Sequence, residues 1–128
     1  MVKSIFIKGK VQKGHGVGKK LGFPTLNISY EGDMRGVFVG RVFVLGKSFL
    51  SAVHVGKRPT FNDEESSCEG YLLDFDAEEN SDFVGEMIEF ELLEKIRDTK
   101  KFDNLDELKS QMRLDVEFVK SWCNLRKN

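Results

Sequence analysis

The chain has 128 residues, of which 20 are Lys or Arg and 21 are Asp or Glu, so its formal net charge is −1. This length suits one core, and we expect residues 1–128 to form a single domain and a monomer. The balanced charge gives no sign of a nucleic-acid partner, and no apolar run approaches the roughly 18 residues of a membrane-spanning helix. We therefore expect neither a nucleic acid nor a membrane as partner.

The N-terminal residues are apolar over too short a distance for a signal peptide. Cys68 and Cys123 are far apart in the chain and match no metal-binding spacing. Two free thiols are typical of a reducing compartment, which predicts a cytoplasmic protein, with a structural disulfide as the alternative.

A glycine-rich segment follows the first predicted strand, Ser4–Val11. Its sequence is Gly14-His15-Gly16-Val17-Gly18-Lys19-Lys20-Leu21-Gly22. Glycine allows close approach of a backbone to a ligand, and lysine is suited to phosphate. The segment lacks the Gly-Lys-Ser/Thr of a Walker A loop. From these residues alone it is either a phosphate-binding flap or a surface loop.

The second predicted strand, Thr25–Ser29, begins directly after Pro24. Thr25 and Asn27 are two residues apart, and this spacing places them on the same side of an extended segment. A hydroxyl and an amide oxygen are hard ligands suited to Mg²⁺ bound to a nucleotide.

The middle of the chain contains four more predicted strands. Val37–Leu45 is apolar on both faces, and a tight hairpin at Leu45-Gly46-Lys47-Ser48 joins it to its antiparallel neighbour. The remaining three strands are Phe49–Val55, Cys68–Phe75 and Glu86–Arg97.

A helix over about residues 104–125 is predicted to end the chain. Asn104 is an N-cap residue, and Glu107 stands three positions later, as in a capping box. An apolar stripe recurs at steps of three and four: Leu105, Leu108, Met112, Val116, Val119 and Trp122/Cys123. Strands without crossover helices favour an antiparallel sheet. The predicted fold is mainly β: a six-stranded antiparallel, Greek-key-like barrel over about residues 3–97, with a C-terminal helix.

Several motifs in this order resemble the bacterial and eukaryotic riboflavin kinase family. They are Gly14…Gly18-Lys19-Lys20-Leu-Gly-Phe-Pro-Thr-Leu-Asn27, Gly36-Val-Phe, Val55-Gly-Lys-Arg-Pro-Thr-Phe61, Glu69-x-Tyr-Leu-Leu-Asp-Phe75 and Ile96-Arg97…Lys101-Phe102. The resemblance implies a barrel of the same kind and transfer of the γ-phosphoryl group of ATP to the 5′-hydroxyl of riboflavin, giving FMN. It also implies Mg²⁺ or another hard divalent cation.

The resemblance assigns roles to individual residues. It implies that Glu69 is the catalytic base and that Thr25 and Asn27 bind the metal and the nucleotide phosphates. It places Gly14 and Lys19 in a flap over the nucleotide, which we expect to become ordered when nucleotide binds. The remaining implied contacts are Asp74 with the nucleotide, and Arg97, Lys101 and Asp103 with the flavin.

Three positions depart from the family pattern. Lys19 stands where the family often has Arg, His54 where it usually has Asn, and Tyr71 where it commonly has His. The alternative hypotheses are a non-catalytic flavin- or nucleotide-binding barrel and a small β-barrel interaction module. Residues alone do not distinguish a free-standing kinase from part of a bifunctional FAD synthetase.

Overall fold

The computed structural model of the protein describes residues 4–12, 24–57, 66–73 and 83–125. Within them, six strands precede one helix: β1 (Ile5–Lys10), β2 (Thr25–Ser29), β3 (Gly36–Val44), β4 (Lys47–Lys57), β5 (Ser66–Leu72), β6 (Met87–Arg97) and α1 (Leu105–Leu125). The sheet order is β1-β6-β3-β4-β5-β2, and every neighbouring pair is antiparallel. A single antiparallel bridge between Gln12 and Asn27 brings the two edges together. The predicted barrel with a C-terminal helix is confirmed.

Alternating side chains from all six strands fill the inside of the barrel. Phe90, Ile28 and Val53 are fully buried there. The cluster of buried interior residues comprises Ile7, Val11, Leu26, Ile28, Phe38, Val42, Val44, Val53, Val55, Cys68, Leu72, Ile88, Phe90 and Leu92. Because successive strand residues point to opposite faces, the residues between them project outwards.

Helix α1 covers part of the outer face of the barrel. Its buried residues are joined to strand residues in a second apolar cluster: Val39, Ala52, Tyr71, Leu73, Leu108, Met112, Val116 and Val119. The stripe predicted for the helix is therefore confirmed from Leu108 to Val119, and Trp122, half-buried, packs against the same cluster. It was wrong at Leu105, which is 49% exposed. No helix in the described part of the chain combines the length and apolarity needed to span a bilayer.

Side chains at the start of α1 cap the helix. The backbone N–H of Glu107 donates to Oδ1 of Asn104 at 2.9 Å, as the capping box predicts. In a capping box the Glu107 carboxylate would accept from the backbone N–H of Asn104. Here it accepts from the backbone N–H of the preceding residue, Asp103, at 3.2 Å. The first bond satisfies an N–H group that the first helical turn leaves without a partner, and the second ties the residue before the cap to the helix.

A two-residue turn, Leu45-Gly46, connects β3 and β4. Both residues have positive φ, 49° and 77°. Positive φ at both central positions is the backbone of a type I′ turn, whose twist matches that of a hairpin. The turn sets Val44 opposite Lys47 and so fixes the register of the whole β3–β4 pair.

Strands β3 and β6 approach each other closely at Gly40. Their pairing shifts register between Val39 and Gly40. A Cβ at Gly40 would lie 2.6 Å from the backbone oxygen of Glu91 and 2.8 Å from Cγ2 of Val53. Neither group has room to move, because Val53 is fully buried and the carbonyl belongs to the neighbouring strand.

We expect Gly40→Ala to lower the free energy of unfolding by about 3 kcal/mol, since an added methyl group in a packed sheet must displace backbone. The control is Gly46→Ala, where a Cβ meets no atom within 4 Å. Its cost of about 1 kcal/mol comes only from the left-handed backbone. Urea denaturation of both variants measures the difference, and equal losses would contradict the close approach at Gly40.

Candidate active site

Strands β2 and β5 place four polar side chains next to one another on the outer face of the barrel. The register sets Thr25 opposite Tyr71 and Asn27 opposite Glu69. Residues directly opposite in an antiparallel pair project from the same face. Leu26, which separates Thr25 from Asn27, points into the barrel interior. The structure thus brings together three of the predicted site residues, Thr25, Asn27 and Glu69.

Asn27 also lies where the edges of the barrel meet. The backbone N–H of Gln12 donates to the carbonyl of Asn27 at 2.9 Å. In return, Nδ2 of Asn27 donates to the carbonyl of Gln12 at 3.2 Å. Asn27 is only 3% exposed. These contacts fix the Asn27 amide against Gln12, which stands just before the glycine-rich sequence.

Glu69 and Tyr71 lie close enough for their side chains to interact electrostatically. The two residues are separated by Gly70 on β5 and therefore lie on the same face. Burial raises the pKa of the Tyr71 hydroxyl well above 10, and the negative charge of Glu69 raises it further. Tyr71 consequently remains protonated and uncharged at neutral pH.

His54 is the neighbour of Glu69 on β4, on the side away from β2. Burial lowers its pKa from 6.5 to about 4; the positive charge of Arg97 adds to this effect and the charge of Asp115 opposes it. The imidazole is therefore neutral at pH 7. Within the described residues, its buried Nε2 atom has no hydrogen-bond partner.

Arg97 forms a two-pronged ion pair with a carboxylate on α1. Its Nε and Nη2 atoms donate to Oδ1 and Oδ2 of Asp115 at 2.9 and 2.8 Å. Asp115 is 2% exposed, and Nε2 of Gln111 donates to its Oδ1 at 3.1 Å. The guanidinium predicted to contact a flavin is thus bound to Asp115, and the pair joins the end of β6 to the middle of the helix.

A cavity of about 540 Å³ lies between the segment after β6 and the first half of α1. Lys101, one of the predicted flavin contacts, is among its lining residues, together with Phe102 and Gln111. It is an open groove on the surface and not an enclosed pocket. Asp103, another predicted contact, is exposed at the start of the helix and is not among the residues that line the cavity.

Three other predicted site residues, Gly14, Lys19 and Asp74, lie outside the described residues, as does the flap expected over the nucleotide. Sequence reasoning missed one contact. It did not pair Asp115 with Arg97, although an acidic residue beside Met112 and Val116 on an apolar stripe was a usable signal.

The chemistry of the donor set decides whether these residues suit Mg²⁺. The described residues contain no group of three or more His, Cys, Asp or Glu side chains able to hold a metal. Thr25, Asn27 and Glu69 instead offer a hydroxyl, an amide and a carboxylate oxygen. Mg²⁺ is commonly held by one or two protein oxygens together with substrate phosphates and water. The donor set fits a cation that arrives with a nucleotide.

Comparison with known proteins gives consistent matches along the chain. The family model described as "Flavokinase: Riboflavin kinase" matches residues 1–123. A bifunctional riboflavin kinase/FMN adenylyltransferase from Haemophilus influenzae is 36% identical over 122 residues, which cover 92% of this chain and 38% of that protein. The chain therefore spans well under half the length of that relative.

Two solved structures are similar to the chain. Riboflavin kinase from Trypanosoma brucei has a TM-score of 0.63 and 25% identity, with coverage of 98% of this chain and 83% of that one. A structure from Streptococcus pneumoniae described as a macrolide-efflux protein has a TM-score of 0.75 and 32% identity, with coverage of 91% and 38%. Both similarities extend over nearly the whole chain.

The depressed pKa of His54 predicts a pH-dependent stability. Between pH 6.5 and about 4, unfolded protein binds a proton at His54 whereas folded protein does not, so stability falls as the pH falls through this window. The difference corresponds to about 3 kcal/mol. We expect wild type to lose this amount relative to His54→Asn between pH 7.5 and 4 in denaturant titrations. A difference independent of pH would contradict a neutral, buried His54.

The buried ion pair gives a second prediction. Asp115→Asn removes the charge that compensates Arg97 and should lower the free energy of unfolding by about 2–3 kcal/mol, allowing for the partial exposure of Arg97. As a control, Lys8→Gln disrupts an exposed pair with Glu89 at 3.9 Å and should cost less than about 0.5 kcal/mol. Urea denaturation compares the two variants, and similar losses would show that burial does not strengthen the Arg97 pair.

Proposed function

The chain belongs to the riboflavin kinase family, and we propose that it transfers the γ-phosphoryl group of ATP to the 5′-hydroxyl of riboflavin, producing FMN and ADP. The observation that carries this proposal is the pairing of β2 with β5, which sets Asn27 opposite Glu69 and Thr25 two residues away on the same face. Family membership supplies the two substrates. The pairing supplies a carboxylate next to two uncharged oxygen ligands.

In this proposal Glu69 is the general base. Its carboxylate accepts the proton of the riboflavin hydroxyl as the oxygen attacks the γ-phosphorus atom, and ADP departs. A positioned base of this kind contributes about 10²–10⁴-fold to a rate. Glu69 is half-buried, so it can be reached by substrate while its backbone is held in the sheet.

Thr25 and Asn27 would hold Mg²⁺ that arrives with the nucleotide. The bound cation would neutralise negative charge on the phosphates. The two residues suit this role because their side chains are uncharged oxygen donors on a rigid strand. Lys19 and Gly14 of the flap, with Asp74, are proposed to complete the nucleotide site.

The cavity beside α1 is the proposed position of the flavin. Lys101 lines it, and Asp103 lies at the adjoining start of the helix. Arg97 would act there through Asp115, because the Asp115 carboxylate also accepts from Gln111, which lines the cavity. Loss of the ion pair would shift the helix that forms this wall.

A non-catalytic flavin- or nucleotide-binding barrel is the second candidate, supported by His54 and Tyr71, which depart from the family pattern. It is weaker because Thr25, Asn27 and Glu69 remain together. We further propose that residues 1–128 act as one domain and as a monomer in the cytoplasm.

We expect purified protein with Mg²⁺-ATP and riboflavin to produce FMN, detected by chromatography with fluorescence. Glu69→Gln should reduce turnover at least about 100-fold, since it removes the base while preserving side-chain size. The matched control, Glu117→Gln, changes an exposed carboxylate on α1 and should leave turnover unchanged.

Folded wild-type protein that binds both substrates but forms no FMN would favour the non-catalytic barrel. Full activity in Glu69→Gln would refute its role as the base.

A further inference from the structure

His54 carries a buried polar atom to which the proposed reaction gives no role. The residue is 5% exposed, and its Nε2 atom has no hydrogen-bond partner within the described residues. Most buried side-chain polar atoms in folded proteins are hydrogen-bonded, because burying one without a partner is unfavourable. An exception beside the proposed catalytic carboxylate points to a partner that arrives with the substrate.

The strand register places His54 in a row of side chains that crosses the outer face of the sheet. The row runs from Asn27 on β2 through Glu69, His54 and Val37 to Arg97 on β6, each residue directly opposite the next. Neighbouring strands lie about 4.8 Å apart, so His54 is one strand away from Glu69. The proposed metal and nucleotide ligands are at one end of this row, and Arg97 is at the other.

The Arg97 end of the row leads to the proposed position of the flavin. Arg97 is bound to Asp115, which also accepts from Gln111, and Gln111 lines the groove beside α1. In the proposed reaction the terminal hydroxyl of riboflavin meets Glu69 while the ring lies in this groove. The ribityl chain that joins these two parts of the substrate must then cross β4 at His54.

We propose that His54 binds the ribityl chain of riboflavin, with Nε2 hydrogen-bonded to one of the hydroxyl groups between the ring and the reacting terminal hydroxyl. The proposal rests on the function proposed above and adds to it a residue that recognises the substrate. The chemistry is suitable, because Nε2 of an imidazole either donates or accepts and a hydroxyl group can do both.

The burial of Nε2 makes this contact selective. Protein atoms cover Nε2, so the ribityl chain reaches it only when neighbouring side chains move apart. The new hydrogen bond offsets part of that cost, because it gives a partner to an atom that otherwise has none. A chain without these hydroxyl groups leaves Nε2 unpaired, and a site built to pair with a substrate hydroxyl rejects such an analogue. His54 therefore selects flavins that carry a polyhydroxylated chain.

The test compares riboflavin with an analogue whose side chain keeps only the terminal hydroxyl group. Flavin fluorescence titrations give the Kd of each compound, and we expect wild type to bind riboflavin more tightly. His54→Leu, which fills a similar volume without a polar atom, should reduce the ratio of the two Kd values about tenfold, as is typical of one hydrogen bond. His54→Gln, whose amide reaches a similar position, should retain most of the ratio.

The matched control is Ser67→Ala. Oγ of Ser67 is also buried without a partner in the described part of the chain, and Ser67 shares the outer face of β5 with Glu69. It lies outside the row, opposite Gly56 on β4. Its removal should leave the ratio of Kd values unchanged.

Binding and turnover separate this inference from the proposed reaction. If wild type forms no FMN but its preference for riboflavin depends on His54, the reaction fails while the inference is supported. Equal Kd values for the two flavins in wild type would overturn the inference, and this comparison needs no variant. The inference is also overturned if folded His54→Leu keeps the ratio, if His54→Gln loses as much as His54→Leu, or if Ser67→Ala lowers the ratio equally.

Discussion

The register between β2 and β5 is the constraint on which the candidate site depends. It determines that Asn27 faces Glu69 and Thr25 faces Tyr71. A shift of β2 by one residue would turn Thr25 and Asn27 into the barrel, away from Glu69 and Tyr71, and bring Leu26 and Ile28 outside. The apolar interior therefore stabilises this register, because a slip of β2 would replace apolar side chains in the packed core with polar ones. The bridge from Gln12 to Asn27 fixes the same strand from its other edge.

The ion pair that attaches α1 to the barrel also determines the charge on the outer face near Glu69. Arg97 and Asp115 neutralise each other at the contact between the helix and β6. Without Asp115, a partly buried guanidinium would lie on the same face as Glu69 with no compensating charge. The ion pair therefore supports the helix and also limits the net positive charge near the carboxylate. The costs of burying the two charges are offset because their geometry satisfies both carboxylate oxygens.

Much of the fold could be predicted from the sequence because it depends on local patterns. Alternation predicted the strands, and Asn104 with Glu107 predicted the start of the helix. Periodicity shows which helix residues share a face but not where contact with the sheet begins, so Leu105 was misassigned to the core. The Thr25, Asn27 and Glu69 set came from a family motif. The pairing of Arg97 with Asp115 depends on how the helix docks 18 residues later in the chain, which no local pattern contains.

The departures at His54 and Tyr71 flank Glu69, and their physical states make them compatible with a basic carboxylate. A protonated histidine beside Glu69 would pair with it and make it a weaker base. Burial keeps His54 neutral at pH 7, so no such charge arises. Burial also raises the pKa of the Tyr71 hydroxyl, so Tyr71 adds no charge beside Glu69. Neither position therefore places a charge beside Glu69 that would oppose its proposed role as a proton acceptor.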